Sequence, residues 1–220
     1  MPSANTGSLR DRRRAELLTQ IQHTAFELFA EHGFDAVTTE EIAAAAGISI
    51  STYFRHAPTK EGLLVDPVRA AIGEIVRSYS ARPPAESAVE ALIQVFVTRA
   101  RDADELDNLD TWRRAIATAP HLLSKTALVS ETDRDKFLEQ VACRLGLDAK
   151  ADAKVDAKAD EKADAKVDAK ADVRPALLVH TSLATVKFVL DRWLNPDAAP
   201  NGPFNVQLED ALRTTLAGFG

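Results

Sequence analysis

Apolar positions recur at spacings of three and four between Ala15 and His32. Leu17, Leu18, Ile21, Ala25, Leu28 and Phe29 make one stripe, which predicts an amphipathic helix. Gly33 suits the left-handed residue that ends such a helix. Thr38 and Glu41 have capping-box spacing and announce a second, short helix, "EEIAAAA", that ends at Gly47. Ser49 is a good N-cap for a third helix from Ile50 to His56. Pro58 breaks that helix, and Thr59 or Lys60 opens a fourth reaching about Ser80, with a break or kink expected at Asp66–Pro67 because proline removes a helical donor. After a loop at "ARPPAES", the pattern predicts helices over 86–102, 105–118, 121–146, 174–194 and 205–218. The fold class is all-α.

The succession of long helix, short alanine-rich helix, glycine turn and short helix makes a helix-turn-helix candidate. At 100° per residue, Tyr53 and Ala57 lie about 40° apart, with Ser51, Thr52 and Arg55 opposite and Ile50, Phe54 and His56 on the flanks. If Tyr53 and Ala57 pack inward, the open face carries hydroxyls and a guanidinium with apolar groups at its edges. Major-groove readout needs such a surface: Arg bonds guanine, Ser and Thr reach phosphates or base edges, and apolar groups touch thymine methyls. Lys60, at the next helix start, is a candidate phosphate anchor. An ordinary short surface helix would show the same spacing, so both readings stand at this point.

Composition adds limits. Apolar residues are 45% of 220, enough for a buried core, and alanine and leucine dominate, which favours helix. The net charge of −6 does not advertise nucleic-acid binding. Residues 1–62 hold 6 Lys and Arg against 8 acids, so few phosphate contacts and a shallow salt dependence are expected. Four arginines nevertheless cluster in "RDRRR", Arg10 to Arg14. The single cysteine, Cys143, sits in an apolar-looking helix and is expected to be buried and structural, as suits a reducing cytosol. No apolar run reaches the ~20 residues of a membrane span, and the N-terminus lacks a signal core. No nucleophile–base pair, phosphate loop or metal-ligand spacing is present, so neither catalysis, nor a cofactor, nor a metal is expected. Residues 148–172 are a repeat of Ala, Asp and Lys with 8 acids and 6 lysines in 25 residues, read as a solvated insertion.

The stretch "ELFAEHGFDAVTTEEIAAAAGISISTYFRHAPTKEGLL", Glu27 to Leu64, closely resembles the N-terminal domain of the TetR family of one-component transcriptional regulators. The resemblance implies a flexible basic arm over 1–14, a helix-turn-helix DNA-binding domain over 15–62, and a helical ligand-binding and dimerisation domain over 63–220. It implies that Thr38 or Thr39, Thr52, Phe54, Arg55, His56 and Lys60 lie at or near DNA; Ile50 and Ser51 of the third helix, and Arg12 and Arg13 of the basic run, complete the expected DNA interface. Phe54 stands where the family often has tyrosine, and Ala57 where it usually has a core phenylalanine, a space that Tyr53 is placed to fill.

The family's C-terminal domain dimerises through its last two long helices and often binds a small ligand. "RPALLVHTSLATVKFVLDRWL" is apolar round most of its circumference, as a helix facing both a core and a partner would be. The segment from "TWRRAIATAPHLLSK" to "DRWL" resembles, more loosely, mycofactocin-regulator-like members. Phe96, Arg99, Trp112, Arg113, Ile116, Phe137, His180 and Phe188 are candidate pocket residues, each also readable as core or surface. A homodimer on a near-palindromic duplex, a repressor released by a small effector of unspecified identity, is the expectation. The alternatives are a ligand-independent regulator and an interaction module that uses the 148–172 insertion.

Overall fold

The computed structural model describes residues 9–104, 108–125, 128–147, 172–195 and 202–219. The 148–172 repeat, apart from Asp172, lies outside the described residues. Ten α-helices and a closing 3₁₀ turn are described, and no strand is found among the described residues. They are α1 Leu9–His32, α2 Thr39–Ala45, α3 Ile50–His56, α4 Lys60–Ser80, α5 Ala88–Asp104, α6 Leu109–Ala117, α7 His121–Lys125, α8 Glu131–Arg144, α9 Arg174–Leu194 and α10 Phe204–Leu216. No helix is long and apolar enough to cross a membrane among the described residues.

Three boundaries depart from the sequence pattern. Helix α1 begins at Leu9, so Arg10 to Arg14 are its first turns and not an extended arm. The helix expected over 121–146 is two, because Ser130 caps a fresh start, its hydroxyl accepting from the Asp133 amide. Pro67 does not interrupt α4. It removes one donor only, and around it Leu63, Leu64 and Val65 are buried while the Trp112 indole donates to the Leu64 carbonyl at 3.0 Å.

The chain divides into two compact units. The first holds α1, α2, α3, α4 as far as Ile72, α6 and α7. Its core is built from Ile21, Ala25, Phe26 and Phe29 of α1, Ile42 of α2, Tyr53 of α3, and Trp112, Ala115 and Ile116 of α6. Helix α6, expected in the regulatory domain, therefore belongs with the helix-turn-helix. The Phe34 amide seals this, donating to the Thr118 hydroxyl at 3.0 Å across 84 residues of sequence.

The second unit holds the rest of α4, most of α5, α8, α9 and α10. Phe137 is its centre, edge-on to Tyr79 at 5.4 Å and 6.2 Å from Phe96. Burial drives the Tyr79 hydroxyl up to about 12 despite the nearby Arg144. The Arg144 guanidinium closes the α4–α5 loop, donating to the carbonyls of Pro83, Arg82, Glu86 and Tyr79 at 2.7, 3.0, 3.2 and 3.4 Å. Its neighbour Cys143 is exposed, contrary to expectation, because α8 turns Phe137 and Val141 inward and leaves the cysteine on the solvent side.

Candidate nucleic-acid interface

The interface is set by how α3 is held. Gly33 (φ 85°) ends α1 and Gly47 (φ 68°) makes the turn between α2 and α3, conformations that L side chains rarely adopt. Thr38 and Glu41 form the full capping box at the start of α2. The two hydrogen bonds from Thr38 hold the Glu41 carboxyl below its ordinary range. From α1, the Gln20 amide donates to the Ala46 carbonyl at 3.1 Å and closes the far end of α2. Ser49 caps α3, accepting from the Thr52 amide at 3.2 Å.

Helix α3 buries the two residues the pattern selects. Tyr53 is 0% exposed and Ala57 is buried beside it. The tyrosine hydroxyl is shielded and has no hydrogen-bond partner. Burial, with smaller contributions from Glu61 and Glu40, raises it to about 12. Opposite, Ser51 and Arg55 are exposed, and Ile50 and Phe54 are exposed on the flank. Phe54 is steadied by an edge-on contact with Tyr53, 5.4 Å between centroids. His56 is half-buried, its Nδ1 shielded without a hydrogen-bond partner.

Several residues of the expected interface are occupied elsewhere. The Thr38 hydroxyl donates to Glu41 at 2.8 Å and the Thr39 hydroxyl to Glu40 at 3.0 Å. The Thr52 and Ser49 hydroxyls share a hydrogen bond of 2.9 Å. Lys60 departs most from the phosphate-anchor reading. Its ammonium donates to the Phe34 and Val37 carbonyls at 2.8 and 2.9 Å and lies 4.3 Å from the centre of the Phe34 ring. It ties the α1–α2 loop to α4, a role no local signal reveals because the carbonyls lie 26 and 23 residues away. Arg12 and Arg13 are exposed on the first turns of α1, where positive charge opposes the helix dipole.

The expected pocket residues are divided between the two units. Trp112, Arg113 and Ile116 belong to the first unit, and Phe96, Arg99, Phe137, His180 and Phe188 to the second. Phe96 and Phe137 are core. Arg99 Nε lies 3.1 Å from Glu74 without hydrogen-bond alignment. His180 is exposed and Phe188 is 66% exposed. They share the outer face of α9, where the apolar circumference of that helix reaches solvent. No group of three or more His, Cys, Asp or Glu placed to hold a metal occurs among the described residues.

Comparison with known proteins agrees with this geometry. Residues 21–66 match the family model described as bacterial regulatory proteins, tetR family. The HTH-type transcriptional regulator TcmR of Streptomyces glaucescens is 29% identical over 152 residues, 66% of this chain and 67% of that protein. The putative mycofactocin biosynthesis transcriptional regulator MftR of Mycobacterium tuberculosis is 44% identical over 52 residues, only 24% of this chain and 26% of that one. Among solved structures, SmeT, the repressor of a Stenotrophomonas maltophilia multidrug efflux pump, has the same fold at TM-score 0.56 and 21% identity, covering 91% of this chain and 89% of its own. A TetR regulator from Rhodococcus sp. RHA1 does so at TM-score 0.52 and 17% identity, covering 97% and 100%. With its capped α2, glycine turn and outward-facing α3, the chain carries the N-terminal DNA-binding domain of the TetR family of bacterial transcriptional regulators.

Proposed function

We propose that the chain is a sequence-specific DNA-binding regulator that acts as a homodimer and represses until a small effector releases it. The observation that carries this reading is the orientation of α3: Tyr53 and Ala57 fix it inward while Ser51, Phe54 and Arg55 face outward. Arg55 has no hydrogen-bond or ion-pair partner among the described residues, so its five donors are available to a base edge. TetR-type regulators bind operator DNA and dimerise.

Dimerisation falls to α9 and α10. The two are joined by a Thr185–Thr215 hydroxyl contact of 3.1 Å and by Trp193 against Phe204 at 5.2 Å. They leave Leu177 and Phe188 of α9 and Val206 of α10 exposed. Large apolar groups on an otherwise folded helix pair mark a protein contact. The effector is a small molecule of unspecified chemistry, no cofactor takes part, and the chain performs no catalysis and works in the cytoplasm.

The test is selection of bound duplexes from a random pool by the full chain. An inverted repeat whose half-sites lie about one helical turn apart, near 34 Å, is the expected product. Enrichment of no sequence over competitor duplex overturns the reading.

A further inference from the structure

The chain between α1 and α2 runs only from Gly33 to the Thr38 cap. Its course decides where α2, the Gly47 turn and α3 lie against α1. Two helices from later in the sequence grip it. Lys60, the first residue of α4, donates to the Phe34 and Val37 carbonyls at 2.8 and 2.9 Å. Thr118, the C-cap of α6, accepts from the Phe34 amide at 3.0 Å. Phe34 is therefore held at its amide, at its carbonyl and at its ring, which packs 5.1 Å from the Phe29 ring of α1 and 4.3 Å from the Lys60 ammonium.

The Thr118 hydroxyl has its proton committed. It donates to the Ala115 carbonyl at 2.7 Å within its own helix, which leaves an oxygen lone pair for the Phe34 amide. Helix α6 is a firm base for this bond. Trp112, Ala115 and Ile116 are buried, and the Trp112 indole donates to the Leu64 carbonyl at 3.0 Å. Thr118 itself is exposed on the whole, so core packing does not ask for a hydroxyl there, whereas the Phe34 amide does. We infer that Thr118 is a positioning residue for DNA recognition, a step that rests on the DNA-binding reading above. It meets no base or phosphate, and it acts by fixing the α1–α2 loop so that α3 is presented at one angle. Apparent affinity scales with the fraction of molecules whose reading helix is already placed, so a loosened loop weakens binding without the loss of any contact to DNA. A specific duplex needs that placement, while a non-specific one is held by charge alone.

The experiment uses the full chain, the duplex enriched from the random pool and a scrambled duplex of the same composition. Fluorescence anisotropy at several salt concentrations compares the unaltered protein with Thr118→Val and Thr118→Ser. Valine keeps the branched shape and loses the acceptor; serine keeps the hydroxyl. Thr118→Val should bind the enriched duplex about fivefold more weakly, the worth of one hydrogen bond. Its affinity for the scrambled duplex and the slope of log Kd against log salt should not change. Thr118→Ser should bind within about twofold of the unaltered protein. Circular dichroism at the assay temperature confirms that the variants are folded, and Thr118→Ala, which also lacks the acceptor, repeats the test if the valine variant does not fold. A lower melting temperature with undiminished affinity for the enriched duplex would mean a purely structural role and overturn the inference. Equal losses on both duplexes, a shallower salt slope, or a serine variant as weak as the valine one would also overturn it, and in each case the regulator reading stands. Failure to enrich any duplex overturns both.

Discussion

Replacing Tyr53 by phenylalanine removes one oxygen from the point on which the placement of α3 depends. Tyr53 is 0% exposed and its hydroxyl has no hydrogen-bond partner. A buried hydroxyl without a partner costs roughly 1–3 kcal/mol in lost hydration, while a void the size of one oxygen returns part of that. Tyr53→Phe should therefore be neutral or stabilise by up to about 1 kcal/mol at neutral pH. Tyr53→Ala should instead cost about 3–5 kcal/mol, because it removes a fully buried aromatic ring and leaves a cavity. The pH dependence separates the hydroxyl from the ring. In the unfolded chain this tyrosine ionises from about pH 10, but in the folded protein burial holds it neutral to about 12. Its contribution is complete below pH 10 and is lost as pH rises toward 12. Tyr79 behaves alike and is untouched, so Tyr53→Phe should remove part of the alkaline destabilisation and leave the rest. Urea melts followed by circular dichroism at pH 7 and pH 11 measure both effects. A loss of more than about 1 kcal/mol for Tyr53→Phe at pH 7 would mean that the hydroxyl is hydrogen-bonded, and the packing argument for α3 would fail.

Lys60→Met should destabilise the first unit by about 2 kcal/mol, the scale of hydrogen bonds from a charged donor, and leave the salt dependence of DNA binding unchanged. A shallower slope by about one phosphate contact would restore Lys60 to the interface. Phe188→Glu, at an exposed apolar position on α9, should weaken self-association more than about tenfold in sedimentation without lowering helicity; an intact dimer would move the interface elsewhere. Arg144→Lys should cost about 2 kcal/mol in urea melts, because a single ammonium cannot span four carbonyls as the guanidinium fork does, and an unchanged midpoint would refute that role.

What the sequence made legible was local. The glycine at 33, the Thr38–Glu41 box, the Ser49 cap and the inward pair Tyr53 and Ala57 act within a turn or two of chain, and each stands where the pattern placed it. What it hid was long-range. Lys60 resembles a phosphate anchor until the carbonyls of Phe34 and Val37 are brought to it. The Phe34–Thr118 bond that joins α6 to the reading head spans 84 residues. His180 and Phe188 sit on an apolar helix whose periodicity cannot say which side meets the chain's own core and which is left outward, and the outward side took them. The break between α7 and α8 is marked by Ser130, a cap signal that stands directly after the apolar Leu128 and Val129.

Arg55→Ala tests the central claim most directly. With the enriched duplex, anisotropy titrations at fixed salt should show a loss of about ten- to a hundredfold, the 1–3 kcal/mol of one bidentate base contact, with the melting temperature unchanged because Arg55 is exposed and unpartnered. Binding within twofold of the unaltered protein would contradict the assignment of α3 as the reading helix.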